Sequence, residues 1–378
     1  MVLWPGWLFR FDLGKTNTKL KLSTLWRGMG TASESLVGEV IDGWTVENPI
    51  LSFPGATGGH FSNSYIVSKN GIRAFLKAMD LTAAITSGLK AVEQVTRQYN
   101  FEKDLLSLCR DKKLSKIVSL LADGEYVVNK LPYGSSQLLN RVYYLIFELA
   151  DGDIRKELVF DGDMSDAWKA HVLHQIAVAL TQLHWNQIAH QDIKPSNVLS
   201  YKKLQSYKLA DLGRSASMEI IAPTDELDFP GDLGYAPPEY LYKYIPGNFH
   251  DRRFGSDAFL LGSMISFLYI GLSSLTLTLD NVPESFKPDI WAGTYADVLP
   301  HLIAAHTQAT NTLKSYLPPG YENEFSTLYF QLCHPDPLTR GDPKARSQIG
   351  RPIGIDRYVS RFNNLSKRLG LKLRSKGK

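Results

Sequence analysis

The stretch His190-Gln191-Asp192-Ile193-Lys194-Pro195-Ser196-Asn197-Val198-Leu199, followed downstream by Asp211-Leu212-Gly213, decides the reading of this chain. It places an acid, a cation and an amide within six residues, in a segment that Pro195 keeps from being helix, and it sets a second carboxylate further on. This combination suits phosphoryl transfer, in which a protein mainly positions groups and neutralises charge. One carboxylate orients an attacking hydroxyl and accepts its proton, an ammonium meets the transferring phosphate, and an amide with a second carboxylate holds Mg²⁺.

Around that stretch lie 378 residues that are 44% apolar and 21% charged, with ordinary glycine and proline content. Such a chain builds a sizeable core, and its composition excludes collagen, coiled coil and bulk disorder. Cys109 and Cys333 are too few and too far apart for a disulfide framework or a zinc site, so a reducing, cytoplasmic setting is expected. The N-terminus is aromatic but is interrupted by Pro5, Arg10 and Asp12, which does not match a secretory signal. The net charge of +4 divides unevenly. Residues 343 to 378 hold eleven Lys or Arg against one acid, a net of +10, which leaves −6 for residues 1 to 342. Residues 258 to 279 carry no charge and are long enough for a bilayer. Their six Ser and Thr residues, and Gly271 dividing the run, favour a buried core helix.

Periodicity gives a coarse order of elements. Trp7, Phe9, Phe11 and Leu13 alternate before a turn, which predicts a β-hairpin over residues 7 to 24, and residues 30 to 39 read as a linker. Strand patterns follow at residues 44 to 46, 64 to 67 and 71 to 78, helical patterns at 83 to 98 and 101 to 109, and strand patterns at 117 to 121, 126 to 131 and 142 to 147. After Asp153 the pattern turns helical, with Val172, Leu173, Ile176, Ala177, Leu180 and Leu183 forming one apolar stripe. A β-rich part followed by a helical part predicts two lobes with a cleft near residue 150.

The quoted residues resemble the protein kinase superfamily, whose catalytic loop reads His-Arg-Asp-Leu-Lys-x-x-Asn and whose metal motif reads Asp-Phe-Gly. Further segments are similar to that family in the same order. Gly234-Tyr235-Ala236-Pro237-Pro238-Glu239 resembles its Ala-Pro-Glu motif, Asp257-Ala258-Phe259-Leu260-Leu261-Gly262 the start of its large central helix, and Asp336-Pro337-Leu338-Thr339-Arg340 the late motif whose arginine pairs with that glutamate. Upstream, Gly58, Gly59 and Phe61 resemble its glycine loop, and Lys77 its strand lysine. Glu102 is the favoured helix partner of Lys77, with Glu93 as the alternative. Residues 144 to 153 resemble the interlobe hinge, where backbone at Glu148 and Ala150 meets adenine and Phe147 backs the pocket.

The resemblance implies an α+β, bilobal fold with a β-rich N-terminal lobe and a mainly helical C-terminal lobe. Residues 1 to 39 form an extension, residues 40 to 346 the catalytic domain with a lobe boundary near 148 to 153, and residues 347 to 378 a basic tail with an amphipathic helix. It further implies ATP and Mg²⁺ as cofactors and a Ser/Thr protein substrate. The roles it carries over are Asp192 as base, Lys194 on the γ-phosphate, Asn197 and Asp211 on metal, and Lys77 with Glu102 aligning the nucleotide. A nucleotide-holding pseudokinase or scaffold and a small-molecule phosphotransferase are the rival readings. His190 is expected to support the loop rather than act as a base.

Two departures carry information. Gln191 replaces the arginine that receives a phosphate on the activation segment, and glutamine cannot supply that charge. Activity without phosphorylation at Ser215, Ser217 or Thr224 is therefore expected. Asp232 replaces a threonine near the catalytic aspartate, which sets like charges close together. In the tail, Tyr358, Phe362, Leu365 and Leu369 form an apolar stripe among basic residues. That pattern predicts a last helix docked on the C-terminal lobe, with an acidic partner, nucleic acid or anionic membrane as alternative uses of the charge.

Overall fold

The structure, a computed structural model, describes residues 31–50, 62–79, 81–128, 140–160, 164–203 and 205–376. The expected N-terminal hairpin and Gly58, Gly59 and Phe61 lie outside them. The first lobe is built on six antiparallel strands, β1 (Val40–Ile41), β2 (Trp44–Pro49), β3 (Ser62–Lys69), β4 (Ile72–Met79), β5 (Leu120–Val127) and β6 (Arg141–Glu148), in the order β1-β2-β3-β4-β6-β5. Successive strand residues point to opposite faces. Tyr65 and Val67, Ala74, Leu76 and Ala78, and Val142, Tyr144 and Ile146 therefore bury one face, together with Trp44 and Val46. The alternate residues Phe75, Leu145 and Phe147 face the other way, into a core shared with two helices, α1 (Leu81–Ser87) and α2 (Leu89–Asp111). Lys77 lies between Leu76 and Ala78 and so points to that second face.

Two boundaries differ from the periodicity reading. Residues 31 to 39 are packed rather than a linker, because Leu36 is fully buried against the sheet and the Tyr65 hydroxyl donates to the Ser33 carbonyl at 2.6 Å. The break between the first two helices falls at Gly88, whose φ of +109° suits glycine, and α2 runs unbroken from there through Asn100. The strand expected at residues 117 to 121 is for the most part an approach to β5, with Ile117 making an isolated bridge to Leu209.

The second lobe follows as β7 (Gly152–Asp153), α3 (Ile154–Phe160), α4 (Asp166–Trp185), β8 (Ile188–Ala189), β9 (Val198–Tyr201), β10 (Ser206–Leu209), β11 (Ala216–Ser217), α5 (Pro238–Leu241), α6 (Gly255–Ile270), α7 (Ser274–Leu279), α8 (Tyr295–Lys314), α9 (Glu322–Leu332), α10 (Pro343–Arg346) and α11 (Ile355–Lys376). Ser165 caps α4, its hydroxyl accepting the Trp168 amide, and the predicted stripe from Val172 to Leu183 is buried. The uncharged run becomes two helices, because Gly271 ends α6 with φ +82°. Its hydroxyls find partners inside the protein. Ser263 accepts the Ser274 amide, Ser266 donates to the Ser263 carbonyl, and Ser274 meets the Tyr329 hydroxyl. Among the described residues no helix is long and apolar enough to cross a membrane. A β-sheet lobe followed by a helical lobe is the bilobal α+β architecture that the resemblance implied.

The basic tail is largely α11. Tyr358, Phe362, Leu365 and Leu369 are buried, and α11 lies along α4, where the Val359 carbonyl meets His174 Nδ1 at 3.1 Å and Ser366 donates to the Ala167 carbonyl. Arg361 reaches Asp342 at 2.7 Å and Arg368 reaches Glu324 at 2.8 Å, so part of the tail's charge is matched internally.

One ion pair fixes the end of the activation segment. Arg340 donates through both terminal nitrogens to Glu239, at 2.8 and 2.7 Å, and both side chains are fully buried. Arg340 also donates to the carbonyls of His334 and Pro335, so its guanidinium is well satisfied. Removing one partner strands the other charge without water. The Arg340→Met variant is expected to lose about 3–5 kcal/mol of unfolding free energy, read as a lower midpoint in urea, with the Glu239→Met, Arg340→Met pair less damaged than Arg340→Met alone.

Candidate active site

Strand alternation delivers Lys77 to the cleft face of the sheet, and the long helix α2 brings Glu102 to meet it. Lys77 Nζ lies 3.0 and 3.2 Å from the two oxygens of Glu102 and 3.4 Å from Asp211 Oδ1, a residue of the other lobe. Glu93, the alternative partner, is exposed on the same helix. Burial works against the Lys77 charge, but the carboxylates of Asp211 and Glu102 outweigh it and hold the ammonium's pKa above its ordinary value. Asp211 is held below the ordinary carboxylate value, by Lys77 first, with Lys194 adding to it. A side chain at Gly213 would stand 3.4 Å from Glu102 Oε2, so the Asp211-Leu212-Gly213 turn runs directly beneath the ion pair.

The loop between β8 and β9 is held by one buried carboxylate. Asp257, at the start of α6, accepts the backbone amides of His190 and Gln191, each at 2.8 Å, and His184 Nε2 at 2.9 Å. His190 is itself fully buried. Its Nε2 donates to the Ala210 carbonyl, and its Nδ1 accepts the Asp192 amide, which occupies both ring nitrogens and leaves it a support. Gln191 and Asp211 both take positive φ, +65° and +66°, a conformation that costs non-glycine residues energy and collects at functional sites.

Asp192 is buried at the floor of the cleft. Asn197 Nδ2 donates to its carbonyl at 2.8 Å and to Oδ2 at 3.0 Å, and Lys194 Nζ stands 3.1 Å from Oδ2. The Asp232 amide donates to Oδ1 at 3.1 Å. Burial raises the Asp192 pKa, Lys194 opposes the shift, and Asp211 adds to it. A carboxylate that is oriented from both sides and raised in basicity is suited to accept a proton from a hydroxyl. The Asp232 side chain is 3.7 Å from Lys194 Nζ, so the ammonium lies within reach of both carboxylates.

The donor set can be tested against Mg²⁺ and nucleotide on chemical grounds. Asn197 spends its amide nitrogen on Asp192 and accepts the Ser196 hydroxyl at Oδ1, 3.3 Å away, which leaves Oδ1 one lone pair for a cation, and the carboxylate of Asp211 is half-exposed. Among the described residues no group of three or more His, Cys, Asp or Glu could hold a metal by itself. Two oxygen donors fit an ion that keeps water and takes phosphate oxygens as further ligands, which is the habit of Mg²⁺. At the hinge, the Glu148 amide is taken by the Ser119 carbonyl at 3.1 Å, so only its carbonyl is left for a ligand. Its side chain accepts from the Ser119 amide and from Lys208. Ala150 is half-buried just beyond, and Phe147 is buried with its ring 6.3 Å from Phe75.

Sequence reasoning missed two residues that hold this arrangement. Asp257 was legible only as a helix start, although an acid opening an otherwise uncharged helix is itself a sign of a buried acceptor. Arg253, in the turn before α6, donates to Gln191 and to the activation segment, and no motif singles it out.

The model of the protein kinase domain matches residues 78–345, beginning one residue after Lys77. Similar proteins include an Aurora kinase of Debaryomyces hansenii, 30% identical over 44% of this chain and 38% of its own length. A Wee1-like protein kinase of Arabidopsis thaliana is 28% identical over 78% of this chain and 47% of its own. A calcium/calmodulin-dependent protein kinase type II alpha chain of Drosophila melanogaster is 27% identical over 51% of this chain and 35% of its own. The chain thus spans less than half the length of these curated relatives. With the motifs in order, the two lobes present and the domain model matching from the lysine strand to α10, the chain belongs to the protein kinase family.

Proposed function

We propose that this chain transfers the γ-phosphoryl group of ATP to a serine or threonine hydroxyl of a protein substrate. The observation that carries the reading is the meeting of Lys77, Glu102 and Asp211 across the lobes, beside a catalytic loop that presents Asp192, Lys194 and Asn197. Residues 40 to 346 are the catalytic unit in this reading, with residues 347 to 378 as a tail that is mostly docked. A cytoplasmic place of action and an acidic partner for the tail's remaining charge belong to the same proposal. A scaffold that merely holds nucleotide is the weaker reading, because it needs none of the geometry around Asp192.

In this mechanism Lys77, steadied by Glu102, aligns the α- and β-phosphates, and Asn197 and Asp211 would hold Mg²⁺. The ion, when bound, neutralises phosphate charge. Asp192 orients the acceptor hydroxyl and takes its proton, fixed by the Asn197 amide on one side and the Asp232 amide on the other. Lys194 stands next to Asp192 and meets the negative charge of the transferring group. Glu148, through its carbonyl, and Ala150 border the adenine site. Gly58, Gly59 and Phe61 are proposed to cover the phosphates.

The hydroxyls of Ser215, Ser217 and Thr224 are buried or hydrogen-bonded within the protein. Ser215 is buried, with Oγ 3.4 Å from the His190 carbonyl, Thr224 is buried, and Ser217 Oγ accepts the amides of Glu219 and Ile220. This supports turnover without phosphate at these positions.

Three outcomes test the proposal. With Mg²⁺ and labelled ATP, the intact chain is expected to label itself or a generic Ser/Thr acceptor, and Asp192→Asn to lower kcat by about 10²- to 10⁴-fold; no label from the intact chain ends the reading. The acid limb of kcat/KM, which reports the unliganded protein, should lie above the ordinary carboxylate value of 3.8, because Asp192 works only when ionised and burial raises its pKa. As pH falls through that raised value the base is protonated and the rate drops, whereas a limb at or below 3.8 contradicts the role. A dephosphorylated Ser215→Ala, Ser217→Ala, Thr224→Ala variant should keep most of its turnover, and loss of most of it would show that a phosphate is required.

A further inference from the structure

A buried guanidinium joins three segments that must agree for transfer to occur. Arg253 lies in the turn His250–Phe254 that leads into α6, and it is 3% exposed. Its carbonyl accepts Gln191 Nε2 at 2.7 Å, and its Nη1 donates to Gln191 Oε1 at 3.4 Å. Its Nη2 donates to the Asp225 carbonyl at 3.2 Å and stands 3.8 Å from Asp225 Oδ1. The other Asp225 oxygen accepts the Ala222 amide at 2.8 Å, so this carboxylate also shapes its own turn of the activation segment. Arg252 beside it donates to the Leu227 carbonyl at 2.9 Å.

The identity of residue 191 follows from this geometry. Gln191 is fully buried and needs a donor for its oxygen and acceptors for its nitrogen, and Arg253 and Asp257 provide them. An arginine at 191 would offer no acceptor and would set a second buried cation against Arg253, a costly pairing. The positive charge has in effect moved from the loop to the turn before α6, and its carboxylate partner is Asp225 in place of a phosphate.

We propose that Arg253 is a positioning residue for phosphoryl transfer, holding the activation segment through Asp225 and the residue before Asp192 through Gln191. The proposal rests on the phosphoryl-transfer reading for its kinetic consequences, while the tether is a property of the fold alone.

Both can be read on the full chain, using amide hydrogen exchange across residues 218 to 228 and steady-state kinetics with Mg-ATP and a mixed Ser/Thr peptide acceptor. Arg253→Met is expected to speed exchange in that segment by about tenfold or more and to lower kcat by a similar factor. KM for ATP should stay within about twofold, because Lys77 and Glu102 are untouched. Arg253→Lys should recover part of both effects, Asp225→Asn should reproduce them in milder form, and the Asp225→Asn, Arg253→Met pair should be little worse than Arg253→Met alone. Unchanged exchange in both single variants, fully additive losses, or a Lys variant no better than Met would overturn the tether. If Arg253→Met does not fold, Asp225→Asn decides, since its carboxylate is more than one-third exposed. If the intact chain transfers no phosphate, the exchange comparison still judges the tether while the functional reading falls separately.

Discussion

Asp257, itself fully buried, accepts two consecutive backbone amides, those of His190 and Gln191, and the ring of His184. A carboxylate buried this deeply is tolerated only when its oxygens are occupied, and here the occupants are the loop that carries the chemistry. The bonds hold Gln191 at a φ of +65°, a conformation that costs of order 1–3 kcal/mol and persists only when neighbours determine it. The helix α6, uncharged beyond Asp257, thus serves as a rigid mount. Its walls are serines satisfied internally, and its contact with α9 is so close that a side chain at Gly262 would come within 2.7 Å of Leu332 Cβ.

The opposite wall of the site is set by a different regularity. Alternation along β4 turns Ala74, Leu76 and Ala78 into the upper core, so Lys77 has no choice but to face the cleft. There it meets one carboxylate from its own lobe and one from the other, at 3.0 and 3.4 Å. The lobes are joined by charge at the point where phosphates would enter. Two acids share one ammonium there, and burial raises the pKa of Glu102 while Lys77 holds that of Asp211 down.

The fold was legible because its signals are periodic or local. The stripe from Val172 to Leu183, the alternation at 71 to 78 and the ordered motifs around Asp192, Glu239 and Arg340 all report local geometry. Glu102 was legible only through the resemblance, with Glu93 as its alternative, and the contact with Lys77 distinguishes them. What escaped was long-range. Nothing near Arg253 in sequence reveals that its partners are Gln191 and Asp225, and nothing in residues 31 to 39 reveals that Leu36 enters the sheet core. The helix boundary at Gly88 was missed for a subtler reason. Apolar residues on both sides suit helix, and only the backbone shows that the glycine is spent on a positive φ.

Asp232 shows how a local rule is overruled by a third charge. Placed near Asp192, an acid should raise its neighbour's pKa or push the segment away. In the structure its backbone amide, not its carboxylate, faces Asp192, at 3.1 Å, while the carboxylate turns toward the Gly234 amide and Lys194. Lys194 is closer to Asp192 than to Asp232, 3.1 against 3.7 Å, so the base retains the tighter ion pair. The substitution leaves the orientation of the base intact and changes what surrounds the ammonium. Lys194 is thereby shared between two carboxylates, and in the proposed transfer the longer of its two contacts, that to Asp232, is the weaker competitor for the ammonium.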